Sequence, residues 1–289
     1  IERVEPTLRG RFAAERRLAG TVAPDDRVLC FGNLPPLFRL RADAVVFLQN
    51  RYLVDPVAPL RALPLKQRIR LWLERAWLRG CRLNASRYIV QTPSMQRLAA
   101  HQLGVSVSCA PFAPVSVLGQ TDGPTEKQFD FLYVASGEAH KNHAALIEAW
   151  GVLADEGVFP SLALTLAPET AESLLLSIEQ AAARGLRIQN LGVLPHDRLL
   201  AMYRASGALI YPSSFESFGL PLIEARQAGL PVLAPELDYV RDVTDPDETF
   251  DPRSPLSIAR SVRRFISRVA NEEVKLETTE SFLKKYILN

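Results

Sequence analysis

Long apolar runs are missing from this 289-residue chain: no stretch approaches the roughly 18 consecutive apolar residues that a bilayer crossing requires, so no transmembrane helix is expected. Cysteine is scarce. Cys30, Cys81 and Cys109 lie far apart and form no Cys-x-x-Cys pair, which argues against a disulfide framework and a thiolate zinc site and makes a reducing cytoplasm the expected compartment. The four histidines do not cluster: His101 is expected on a helix surface, His143 inside a helix and His196 at a helix start. No Asp-x-Asp pattern stands in a suitable loop, so neither a metal ion nor another cofactor is expected. Low-complexity tracts and short-period repeats are also absent. With 47% hydrophobic and 23% charged residues, the chain reads as a compact globular protein. Its opening, Ile1-Glu2-Arg3-Val4-Glu5, is neither a signal peptide nor an initiator methionine, and the true start is expected upstream.

The net charge of +2 conceals an asymmetry. Lys and Arg outnumber Asp and Glu before residue 122, and the remainder is net acidic. Such a dipole suggests that the first half meets something anionic, a membrane surface or a phosphorylated acceptor. An arginine-rich composition with no partner behind it explains the same count equally well. No nucleic-acid partner is expected.

β-rich apolar runs at residues 27–32, 44–50, 87–92 and 105–110 alternate with helical patterns at 8–18, 65–83 and 94–103, where Ser94 is placed to cap the last helix and Gly104 to end it. After a Gly-, Asp- and Pro-rich stretch at 119–126, a second series begins. Strands are expected at 129–135, 162–167, 188–192, 208–211 and 232–234, with helices at 142–156, 171–183, 197–205 and 220–228. Helical segments at 256–269 and 272–287 close the chain. The expected organisation is therefore α/β: a first domain over 1–122, a second over 123–270, and a terminal helix in 271–289 crossing back onto the first. Two such βα series make two doubly wound domains facing across a cleft.

One segment concentrates chemistry. Tyr211 to Ala225 reads as a strand that ends in a tight loop and passes directly into a helix, with Glu216 before the helix and Glu224 on it, seven residues intervening. Gly219 permits close backbone approach, and Pro221 suits a first helical turn. Free amides at a helix start suit an anionic or hydroxyl-rich ligand such as a sugar diphosphate.

This acid, seven residues, acid pattern around Glu216-x-Phe218-Gly219-Leu220-Pro221 resembles the signature of the retaining GT-B glycosyltransferases called family 4. The run Ala135-Ser136-Gly137-Glu138-Ala139-His140-Lys141-Asn142, after a strand and before a helix, resembles that family's phosphate-binding loop. The resemblance, which covers about residues 129–236, implies a GT-B fold and a nucleoside-diphosphate sugar as donor substrate. It implies catalytic roles for two residues. Lys141 would neutralise charge on the leaving diphosphate, and Glu216 would hold the hydroxyls of the transferred sugar. Glu224 would accept from the nucleotide ribose. Ser136, Gly137 and His140 belong to the phosphate loop, with Ser136 standing where the family often has Arg. Gly192, Val193 and Leu194 sit where the base touches backbone, and Ser217, Phe218, Gly219 and Leu220 complete the donor contacts. The implied acceptor is a glycan or lipid-linked molecule in cell-envelope polysaccharide or lipopolysaccharide synthesis.

On the first domain, Asn33, Asn50 and Arg51 fall at strand ends facing the expected cleft and are the acceptor-side candidates. The helical stretch 65–83 has Leu65, Ile69, Trp72 and Ala76 on one stripe, adjoined by Arg68, Arg75, Arg79 and Arg82. Either the helix rests peripherally on the inner face of an anionic membrane, or it is a core helix with a solvated basic flank. The second is the favoured expectation. Two other functions remain open: a sugar-nucleotide epimerase of the same fold, and a non-catalytic nucleotide-sugar-binding scaffold.

Overall fold

The computed structural model describes residues 3–5, 7–112, 126–168 and 171–270. Within them the chain builds two parallel sheets, each on its own hydrophobic core. The first sheet has the order β1-β2-β3-β4, from Arg27–Cys30, Asp43–Phe47, Arg87–Val90 and Val107–Cys109. Helices α1 (Leu8–Thr21), α2 (Leu65–Gly80) and α3 (Pro93–Leu103) accompany it. Its core gathers Val46, Leu48, Leu78, Tyr88 and Val90, all nearly inaccessible to solvent.

The second sheet is six-stranded, of order β10-β9-β8-β5-β6-β7. Its strands are β5 (Phe129–Tyr133), β6 (Leu162–Leu164), β7 (Ile188–Asn190), β8 (Ser206–Ile210), β9 (Val232–Pro235) and β10 (Glu248–Phe250). Six helices complete this unit: α4 (His143–Asp155), α5 (Glu172–Ala183), α6 (His196–Arg204), α7 (Leu220–Gln227), α8 (Asp238–Arg241) and α9 (Pro255–Ala270). β6 and β9 are buried along their whole length, as expected of parallel strands covered on both faces. Trp150 anchors this core, edge-on to Phe131 with ring centroids 5.6 Å apart, while its indole N–H donates to the Pro160 carbonyl at 2.8 Å.

The strand order reverses between β5 and β8: the chain lays β5, β6 and β7 outward on one side, then returns to lay β8, β9 and β10 on the other. A switch point of this kind parts the loops at the carboxyl ends of its two central strands and opens a crevice there.

Three local expectations need correction. Thr92, not Ser94, caps α3: its hydroxyl accepts from the Met95 amide at 3.2 Å, because Pro93 fills the first helical turn and moves the cap one residue before it. The second helix stops at Gly80, and a 3-10 turn over Arg82–Asn84 follows. Most consequentially, α2 buries Leu71 and Leu78 and turns Leu65, Ile69 and Trp72 outward, so the stripe read as core is solvent-facing. Of the residues adjoining that stripe, Arg75 points inward and donates to the carbonyls of Tyr52 and Asp55. Gly104 ends α3 in the left-handed conformation, φ 63°. The expected linker at 119–126 falls almost wholly, and the terminal helix at 272–287 entirely, outside the described residues.

Candidate functional site

Both loops at the switch point carry predicted residues. From β5 the chain runs through Ala135, Ser136 and Gly137 into a 3-10 turn, Ala139–Lys141, and then into α4. The Tyr133 hydroxyl donates to the Lys141 carbonyl at 2.5 Å, pinning the lysine backbone to the end of its own strand. Asn142 takes the left-handed conformation, φ 62°, one that asparagine tolerates better than most residues, and its amide group donates to the carbonyls of Pro212 and Pro252. From β8 the chain enters the loop that carries Glu216. The Ser214 amide donates to the His140 carbonyl at 2.8 Å, so the two loops are stitched together.

At the centre, Lys141 Nζ lies 2.5 Å from Glu216 Oε1, both side chains being largely buried. The same oxygen accepts from the Tyr211 hydroxyl at 2.9 Å and the Ser213 hydroxyl at 2.7 Å. Burial, reinforced by the charge of Glu216, holds the Tyr211 and Tyr133 phenols far above their ordinary titration range, so both stay hydrogen-bond donors. Lys141, Tyr211 and Ser213 all meet Oε1, and Glu216 Oε2 has no protein donor among the described residues, so it is left as a free acceptor. Gly219, at φ 76°, turns the chain into α7, which has no side-chain cap. Among the described residues nothing accepts from the amides of Phe218, Gly219 or Leu220. A cation, an oriented carboxylate and three unpaired N–H groups thus meet at one strand end, a combination suited to a phosphate linked to a polyhydroxy group.

These groups border a cavity of about 620 Å³ whose walls come from both units, with Gln49, Gln91 and Phe112 from the first. Of the predicted donor residues, Ser136, Lys141, Val193, Leu194 and Glu216 line it, as do Ser217, Phe218, Gly219 and Leu220. Gly137, Gly192 and Glu224 do not border it. Glu224 is buried on α7, where its Oε2 accepts from the Tyr203 hydroxyl at 2.9 Å. Ser136 donates to the carboxylate of Glu138; burial alone would raise that carboxyl, but this bond, a backbone amide and the charges of Lys141 and His140 together hold it below its ordinary range.

A second hollow of about 320 Å³ adjoins the first and shares Gln49, Glu216 and Ser217 with it. The three acceptor-side candidates, Asn33, Asn50 and Arg51, all border this hollow, together with Tyr52 and His140. Their side chains shape it. Asn33, at φ 70°, accepts the amides of Gln49 and Asn50 at 2.7 and 2.9 Å, and Asn50 caps the 3-10 turn Arg51–Leu53 by accepting from Tyr52. Arg51 crosses to the second unit. Its guanidinium donates to Asp55, to both carboxylate oxygens of Asp238 and to the Glu216 carbonyl, lying 5.0 Å over the Phe215 ring. Burial lowers the pKa of His140, whose Nδ1 sits 3.5 Å from the Tyr52 hydroxyl.

Sequence reasoning missed Tyr211, Asp238, Tyr203, Gln91 and Thr165. Tyr211 and Gln91 stand just beyond the ends of β8 and β3, where the strand-end rule that selected Asn33 would have found them. No metal site forms among the described residues, where no three His, Cys, Asp or Glu side chains come together.

A family model described as "Glycosyl transferases group 1" matches residues 120–278, more than half of the chain and all of the second sheet. The chain belongs to the glycosyl transferases group 1 family. Among curated relatives, the O-antigen chain mannosyltransferase B of Escherichia coli is 31% identical over 114 residues, which is 39% of this chain and 30% of that protein. The serotype-specific mannosyltransferase WbdA of Escherichia coli is 30% identical over 146 residues, 49% of this chain and 17% of that protein. The chain thus spans under a third of the length of these relatives. Solved structures share its architecture. Sucrose-phosphate synthase from Thermosynechococcus elongatus superposes with a TM-score of 0.60 at 20% identity, covering 79% of this chain and 60% of that one. S. aureus TarM gives 0.63 at 15% identity, covering 96% and 58%. With these neighbours the two facing parallel α/β units are a GT-B fold, as the sequence resemblance implies.

Proposed function

We propose that this glycosyltransferase moves a sugar from a nucleoside-diphosphate sugar, with retention of anomeric configuration, onto a glycan or lipid-linked acceptor of the O-antigen type. The observation that carries this reading is the Lys141–Glu216 pair beside the free amides of residues 218–220, at the switch point of the second sheet. In the proposed reaction the acceptor oxygen bonds to the anomeric carbon as the bond from that carbon to the phosphate oxygen breaks on the same face. The acceptor proton passes to the departing phosphate, and the Lys141 ammonium and the loop amides stabilise the charge that develops there. Glu216 orients the sugar hydroxyls through its free oxygen.

We assign donor binding to residues 123–270 and acceptor presentation to residues 1–122, with Glu224 directed at the ribose once its contact with Tyr203 rearranges. The mannosyltransferase relatives make GDP-mannose the first donor to try. Three free cysteines suit a reducing compartment, and we assign the reaction to the cytoplasm.

The test is a thermal-shift panel of GDP-mannose, UDP-glucose and UDP-N-acetylglucosamine, followed by assays of nucleoside-diphosphate release. One donor should raise the melting temperature and be consumed slowly in the absence of acceptor. Interconversion of the sugar would identify an epimerase instead, and binding without turnover in the presence of an acceptor extract would identify a scaffold.

A further inference from the structure

α2 presents to solvent the face that amphipathic surface helices usually bury. Leu71 and Leu78 pack into the core of the first sheet and Arg75 reaches the loop before the helix, whereas Leu65, Ile69, Trp72 and Leu73 are 65%, 52%, 67% and 51% exposed. At 100° per residue these four, with Ala76, form one continuous stripe opposite the buried face. Basic residues border the stripe on both sides, Lys66 and Arg70 on one and Arg68 and Arg79 on the other. α1 does not cover it. The cavity between the two helices is bordered on α2 by Arg70 and Glu74, off the edge of the stripe.

The charge arrangement is costly unless an anion is near. Lys66 and Arg68 stand at the start of α2, where the helix dipole favours acids, yet its first turn holds no acidic residue and no side chain caps it. Both cations are exposed, and neither has a carboxylate partner among the described residues. An apolar stripe with an interfacial tryptophan between two basic borders is complementary to an anionic phospholipid surface, in which acyl chains lie beneath phosphate.

We propose that α2 docks this protein on an anionic membrane surface, with Leu65, Ile69, Trp72 and Leu73 entering the interface and Lys66 and Arg68 meeting lipid phosphates. Arg75, on the flank of the stripe just beyond Arg68, points inward and holds the carbonyls of Tyr52 and Asp55, so the docked helix is tied to the loop that borders the Asn33–Asn50–Arg51 hollow. Membrane docking itself does not depend on the transferase reading. That the docked loop would meet a lipid-linked acceptor does rest on it.

The experiment is co-sedimentation of the 289-residue chain with phosphatidylcholine vesicles and with mixed phosphatidylglycerol–phosphatidylcholine vesicles, together with tryptophan fluorescence. Wild type should pellet with the mixed vesicles only, and its emission should shift to the blue. Trp72→Phe should still pellet but lose most of the shift, since Trp77 and Trp150 are already partly or fully buried. Ile69→Glu/Leu73→Glu should stay in the supernatant, and Lys66→Gln/Arg68→Gln should partition at least about tenfold less, because each cation near an anionic surface contributes about fivefold. The melting temperature of each variant, and its shift with donor nucleotide sugars, should match wild type, which separates this inference from the fate of the transferase reading. Wild type remaining soluble with both vesicles would overturn it, as would equal pelleting of Ile69→Glu/Leu73→Glu. A dimer dissolved by those substitutions, with no vesicle binding, would assign the face to a second copy of the chain and also overturn it.

Discussion

Arg51 and Asp238 face each other across the cleft, 187 residues apart in sequence, and meet through two parallel hydrogen bonds of 2.8 Å. Arg51 lies just beyond the end of β2 and Asp238 opens α8, so this pair joins the two units. Burial raises the pKa of Asp238, but the hydrogen bonds and charge of the Arg51 guanidinium, with the Tyr239 amide and the charge of Arg97, together hold the carboxylate below its ordinary range. The same arginine pairs with the buried Asp55 and with the carbonyl of Glu216, so the tether reaches the centre of the candidate site.

Removing Arg51 should therefore cost more than removing Asp238. Arg51→Ala strands the carboxylate of Asp55, which keeps only the Val57 amide as donor, at about 2–3 kcal/mol. Asp238 is partly exposed, and Asp238→Ala should cost about 1 kcal/mol. A double-mutant cycle by urea denaturation should return a coupling near 1 kcal/mol. Arg51→Lys should not restore turnover, because an ammonium cannot make the forked contact. Additive single effects would show that the pair couples nothing.

The Lys141–Glu216 contact separates two substitutions that sequence reasoning treats alike. Lys141→Ala leaves Glu216 with the hydroxyls of Tyr211 and Ser213, whereas Glu216→Ala leaves an enclosed ammonium and two hydroxyls without their acceptor. Glu216→Ala should thus lose about 2–3 kcal/mol of stability and Lys141→Ala about 1. Each should lower turnover by about 10²–10³ if the pair handles the donor. Steady-state assays beside thermal melts check both halves: full turnover in either variant removes that residue from the chemistry, and equal melting temperatures refute the asymmetry.

Gly219 has a narrower tolerance. A Cβ there would stand 3.0 Å from Leu222 Cδ1 and 3.4 Å from Tyr239 Cδ2, on a backbone at φ 76° that L-residues rarely adopt. Gly219→Ala should destabilise by about 1–2 kcal/mol and weaken donor binding by moving the free amides beside it. A wild-type donor shift in that variant would show that those amides do not carry binding.

Most elements could be read from the sequence because apolar periodicity and helix-ending residues coincide. β5 starts at the expected Phe129, and α7 at the expected Leu220. β10 could not, since its three residues, Glu248, Thr249 and Phe250, include a carboxylate that is buried only because Arg264 and Arg268 reach it. Thr92 could have been read, because proline in a first helical turn points to the residue before it as the cap. The outward face of α2 could not: periodicity separates two faces of a helix without saying which meets the core. The Glu216 loop was visible through its local spacing, but its tethers to Arg51 and Thr92 join residues more than a hundred positions apart, and no local pattern encodes them.

His143 supplies a pH dependence. It begins α4, buried, with its ring centroid 4.7 Å from that of Tyr133 and neither ring nitrogen partnered among the described residues. Burial, and then the charge of Lys141, push its pKa down from 6.5 to about 4. Between those values the unfolded chain binds a proton that the folded chain refuses, so stability is intact above about pH 6.5 and declines as the pH falls toward about 4. The integrated loss is about 3 kcal/mol. His143→Phe keeps a ring against Tyr133 and removes both unpaired nitrogens, so it should match or exceed wild type at neutral pH and lose less on acidification. Urea midpoints of the two proteins at about pH 4.5 and about pH 7 measure this, and parallel declines would mean that His143 is not the group that titrates.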